Sequence, residues 1–213
     1  MTSGPGRKAQ NSRCERITMD KFAVIDTETN WNDEMMSIGV VIADWETKEK
    51  AGSVYYIIDP EYKAGGMFSC ELRLDDKNAH ITSRKQALQE IKEWLASYGV
   101  EEIFAYNASF DKNHLPEYGE YKWYDIMRLA AYRQYNRAIP DSADCYKTGR
   151  LKRGYGVESI LRMFSERDCY QETHNALLDA QDELEIMRLL GYGIEEYEIA
   201  LLPEQKVPAA KPQ

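Results

Sequence analysis

Five side chains, in chain order, have types and spacing that could do chemistry. They are Asp26 and Glu28 in KFAVIDTET, Asp111 in YNASFDKNHL, and His174 with Asp179 in THNALLDAQDE. Four carboxylates suffice to hold two hard divalent cations, and with no Cys/His cluster to offer soft ligands the ions implied are Mg²⁺ or Mn²⁺ rather than zinc. Two such ions, about 3.5–4 Å apart, clamp the attacking and leaving oxygens of an in-line phosphoryl displacement. A lone histidine among them can take the proton from the attacking water.

Each residue needs an element that aims it. FAVI (22–25) is a continuous apolar run, as expected of a strand buried on both faces. Asp26 and Glu28 follow it at i and i+2, so they share one face about 6.6 Å apart, at the strand end where α/β sheets place ligand sites. The same D-x-E also suits a solvated strand end. Asp111 sits in the turn N-A-S-F-D after a second strand, EEIFAYN (101–107). A helix-initiating role is the alternative there, with Asn107 and Ser109 as further caps. His174 and Asp179 are five apart, about 140° around a helix axis. The expected arrangement therefore puts His174 on the loop at the helix start and Asp179 a turn and a half inside. Asp182, three residues on, reads as an exposed helix acid, and His80 and His114 as structural or solvent-facing.

The remaining elements follow from periodicity. MSIGVVIAD (36–44) and GSVYYIID (52–59) continue an antiparallel meander. Ala87, Ile91, Trp94 and Leu95 mark a helix over 83–99 that stops at glycine. YKWYDIM (121–127) reads as a weaker strand leading into a helix across LAAYRQYN, and 157–164 and 176–193 read as helices. A meander followed by strands alternating with helices predicts an α/β mixed sheet with helices on its faces.

The polar stretch 1–20 reads as a flexible tail, with Met19 a candidate natural start, and the proline-rich 203–213 as another. A single domain over 21–202 lies between them. With 213 residues the chain can bury one sizeable core. No apolar run approaches the roughly 20 residues of a membrane span. The N-terminus lacks the apolar stretch of a signal peptide, and Cys14, Cys70, Cys145 and Cys169 are scattered, so free thiols and the cytoplasm are expected. A net charge of −9 argues against coating nucleic acid by bulk electrostatics but leaves local capture of one strand end open.

Taken together, FAVIDTET, YNASFDKNHL and HNALLDAQDELEIM resemble the three motifs of the DEDD exonucleases with a histidine in the third, the DnaQ-like 3′–5′ exonucleases on a ribonuclease H-like fold. AHIT and WYDIMRLA are weaker echoes, and the resemblance spans about residues 21–192. It implies that Asp26, Glu28, Asp111 and Asp179 ligate two metal ions, with Asp26 bridging them. It implies that His174 is the general base and that nucleoside 5′-monophosphates leave from the 3′ end of a single strand. DNA is the expected polymer; RNA or oligoribonucleotides, or a non-catalytic nucleic-acid-binding module of the same fold, are the alternatives. Where relatives often carry a glycine after the first motif, this chain has Asn30-Trp31-Asn32.

Nucleic-acid contacts are expected from Thr27, Trp31, Asn107 and Phe110, with Trp31 either stacking on a base or packed at a core or rim position. KTGRLKR (147–153) puts Lys147, Arg150, Lys152 and Arg153 between Tyr146 and Tyr155. It reads as a phosphate-tracking loop or as a solvated one.

Overall fold

The computed structural model describes residues 21–165 and 170–204. The tail expected at 1–20, most of that at 203–213, and Cys14 and Cys169 lie outside the described residues. Cys70 and Cys145 are free thiols.

Three strands open the fold: β1 (Lys21–Thr29), β2 (Met35–Asp44) and β3 (Lys50–Ile58), paired antiparallel in sequence. β4 (Ala79–Thr82) runs parallel to β3 at the sheet edge and leads into α1 (Arg84–Ser97). β5 (Glu102–Ala105) and β6 (Lys122–Asp125) add parallel to the other side of β1, with the short α2 (Ser109–His114) between them. The sheet order is β4-β3-β2-β1-β5-β6, so β1 is central. α3 (Met127–Ala130), α4 (Val157–Ser165), α5 (Ala176–Leu190) and α6 (Ile194–Tyr197) complete the chain. None of the described helices is long and apolar enough to cross a membrane.

Alternation along β1 sorts the core into two layers. Ala23 and Ile25 pack with Ala87, Ile91 and Leu95 of α1, while Phe22 and Val24 pack with Ile160 of α4 and Ala180 and Leu184 of α5. Each of the larger side chains among them (Val, Ile, Leu, Phe) contributes roughly 1.5–3 kcal/mol when fully buried. Continuing that alternation puts Asp26 and Glu28 on the face that α5 covers.

One expected element is corrected. The helix over LAAYRQYN ends at Ala130, because the chain there is captured by a small hairpin. Ala131 O accepts from Leu151 N at 2.9 Å, Arg133 N donates to Gly149 O at 3.0 Å, and the buried Asn136 side chain donates to Ala130 O at 2.7 Å. Tertiary pairing outweighs the local helix preference. β4 had no signal as a strand: it is four residues long, half exposed, and without alternation.

Candidate active site

Asp26 pairs across the sheet with Gly39 of β2. A Cβ built on Gly39 would lie 2.3 Å from the backbone of Ala176 and Leu177, so the glycine lets the first turn of α5 rest directly on the sheet beside Asp26. Gly39→Ala is therefore expected to lower stability by about 1–3 kcal/mol or more, since two backbones must separate. Urea unfolding reads this, and an unchanged midpoint would contradict the close approach.

The start of α5 is clamped from below. Its N-cap, buried Asn175, accepts from Leu178 N and donates to Tyr55 Oη at 3.1 Å and Glu71 O at 2.7 Å. His174 precedes it with φ +57, a left-handed conformation uncommon for a residue with a Cβ, and its ring stacks on Phe68 at 3.8 Å between centroids. Side-chain donor atoms of Glu28, His174 and Asp179 all lie within 4.8 Å of one another. Asp111, in the first turn of α2, is buried and does not cap that helix. Its Oδ1 accepts from Thr27 N at 3.0 Å and Thr27 Oγ1 at 2.8 Å, which ties it to β1.

These five residues line one open cleft of about 490 Å³. Its electrostatics are those of crowded, desolvated carboxylates. Burial, then Asp111, Glu183, Asp179 and Glu28, hold Asp26 well above its ordinary range. Burial and the Asp179, Glu172 and Asp111 charges push Glu28 up to about 8. Burial raises Asp179 to about 7, with Glu172 and Asp182 adding to it. Burial likewise raises Asp111 to about 7, against the opposing Thr27 hydrogen bonds. Asp26 Oδ2 and Asp179 Oδ1 are buried and have no hydrogen-bond partner among the described residues. Unpaired acceptor oxygens among like charges fit hard divalent cations, which would supply the missing partners.

Other expected residues divide. Trp31, Asn107 and Phe110 line the cleft. Trp31 is 66% exposed, which places it on the rim and not in the core. In place of a glycine, Asn30 builds that turn: its Oδ1 accepts from Asn32 N and Glu34 N, and its Nδ2 donates to Glu34 and to Glu61 O. Thr27 also lines the cleft, but it is buried with both its N–H and its hydroxyl directed at Asp111, so it positions that carboxylate. Lys147, Arg150, Lys152 and Arg153 are not part of the cleft wall. Arg150 lies over the Tyr155 ring and Lys152 pairs with Asp144. Their hairpin is tethered to the cleft by Tyr106, whose hydroxyl donates to Tyr155 O. Asp182 accepts from the Tyr170 hydroxyl.

Sequence reasoning missed several residues, Tyr106 among them. Glu172, Met67 and Phe68 line the cleft, and Glu183 is buried beside the carboxylates. Phe68 and Met67 come from the segment between β3 and β4, which has no periodic signal. Glu183 did have one: it falls in the α5 stripe of buried residues that contains Ala176, Asp179, Ala180, Leu184 and Met187.

No family model matches this chain, and no curated protein matches it in sequence. Solved structures do. The nuclease domain of 3′hExo, a DEDDh family member bound to rAMP, has a TM-score of 0.59 at 15% identity, over 89% of this chain and 99% of that one. A 3′-exonuclease solved in 3′-end-specific recognition of the histone mRNA stem-loop has a TM-score of 0.60 at 15% identity, over 92% of this chain and 73% of that one. E. coli exonuclease I in complex with a dA16 oligonucleotide gives 0.53 at 14%, over 83% and 42%. The chain has the ribonuclease H-like fold of these 3′-exonucleases.

Proposed function

We propose that this chain is a divalent-cation-dependent 3′–5′ exonuclease that releases nucleoside 5′-monophosphates from the 3′ end of a single strand. The observation that carries the reading is the convergence of Asp26, Glu28, Asp111, Asp179 and His174 on one cleft, from β1, α2 and the start of α5. The fold shared with structures of 3′-exonucleases supports it. Two ions held by Asp26, Glu28, Asp111 and Asp179 would stabilise charge on the attacking and leaving oxygens of an in-line displacement. His174, at the cleft edge, takes the proton from the attacking water. Asp111 is held in register by Thr27, and the Phe68 ring holds the imidazole plane.

Trp31 supplies the base platform. Trp31→Ala is expected to raise KM by roughly 5- to 150-fold, the equivalent of about 1–3 kcal/mol of base stacking. Steady-state kinetics on an oligonucleotide check it, and unchanged KM and kcat would remove Trp31 from the substrate site. The hairpin carrying Lys147, Arg150, Lys152 and Arg153 extends the strand's path beyond Tyr106.

DNA is the polymer proposed first. The 3′-exonuclease structures with rAMP and with a histone mRNA stem-loop favour RNA as a second reading. Oligonucleotides of both chemistries, labelled at the 3′ end, test direction and substrate together. Nucleoside 5′-monophosphate as the first labelled product supports the reading, and the faster polymer names the substrate. Internal fragments at the earliest times would overturn it.

A further inference from the structure

Glu183 lies on α5 one turn beyond Asp179 and is only 2% exposed. The Tyr106 N–H favours its charged form, but its Oε2 has no hydrogen-bond partner among the described residues. The charges acting on it are other carboxylates, Asp111 first and then Asp179 and Glu172, and it in turn acts on Asp26. A carboxylate withdrawn from water without a cationic partner costs several kcal/mol. Glu183 Oε2, Asp26 Oδ2 and Asp179 Oδ1 are thus three buried oxygens without a hydrogen-bond partner among the described residues, on groups whose charges act on one another. The adjacent acid, Asp182, is different: the Tyr170 hydroxyl satisfies it.

We propose that Glu183 is a further carboxylate of the divalent-cation site, standing behind the cleft wall, its negative charge supporting the cations that Asp26, Glu28, Asp111 and Asp179 would hold. This rests on the nuclease reading above. If Glu183 served only to accept from Tyr106 N, a glutamine carbonyl would do so equally well. Glu183→Gln keeps that bond and the side-chain volume and removes the charge that a cation requires.

The test is calorimetric titration of the full chain with Mn²⁺ alone, without nucleic acid. Relative to wild type, Glu183→Gln is expected to weaken Mn²⁺ binding about 10- to 100-fold, the range seen when outer partners of metal ligands are removed. Asp182→Asn, whose carboxylate the Tyr170 hydroxyl already satisfies, is expected to weaken binding far less. Unchanged affinity in Glu183→Gln overturns the inference and leaves the nuclease reading standing, whereas a wild type that takes up no Mn²⁺ overturns both. Should circular dichroism show Glu183→Gln unfolded, Glu183→Asp keeps the charge on a shorter arm. Weakened binding there supports the inference, and wild-type binding overturns it.

Discussion

Asp26→Asn is expected to lose at least about 10³-fold in turnover while the metal-free protein becomes more stable. On the proposed function, the activity loss follows from removing a ligand of the ions, which would contribute several kcal/mol of charge stabilisation, at about 1.4 kcal/mol per tenfold in rate. The gain in stability follows from the crowding. Burial, with Asp111, Glu183, Asp179 and Glu28 around it, raises the Asp26 carboxyl in the folded state above its unfolded value, and Glu28, Asp111 and Asp179 are raised to about 8, 7 and 7. Between about pH 4 and the 7–8 reached by these groups, the folded protein holds protons that the unfolded chain has released. Its stability in EDTA therefore falls as pH rises through that window, by about 1.4 kcal/mol per pH unit for each proton held. The Asp26→Asn change removes one such group and shallows the slope. Melting curves in EDTA at pH 5 and pH 8 read both effects, and a pH-independent wild type would contradict the cluster's electrostatics.

His174→Ala is expected to lower kcat by about 10²- to 10⁴-fold, the usual contribution of a positioned general base. KM should change far less, because the imidazole stacks on Phe68 at the cleft edge and binds no phosphate in this account. Mn²⁺ affinity separates this role from ligation, since His174 lies within reach of Glu28 and Asp179. Affinity retained with kcat lost assigns the base; affinity lost with it would make His174 a ligand.

Much of the site was legible because its residues obey short-range rules. Asp26 and Glu28 follow an apolar run at the period of a strand, and Asp179 follows an N-cap at the period of a helix. Gly191, at φ +71, caps α5 after Leu190, a glycine stop as expected but three residues short of 193. The meander and the parallel additions to β1 were readable from element order. What could not be read depends on tertiary contact. The helix after β6 stops because a hairpin 20 residues later supplies its hydrogen bonds. Phe68 meets His174 across more than 100 residues of chain. In DAQDELE several acids look alike, and only the stripe facing the sheet separates Glu183 from Asp182. Asn30 was read only as the lack of a glycine, although an asparagine with acceptors and donors two to four residues away is itself a turn former.

The measurement that tests the central claim most directly is digestion of 5′-labelled single strands by wild type and Asp26→Asn, with Mg²⁺, Mn²⁺ or EDTA. The account predicts a ladder shortening from the 3′ end, present with either cation, absent in EDTA and absent in the variant. A ladder that persists in EDTA, or an Asp26→Asn protein as active as wild type, would contradict it.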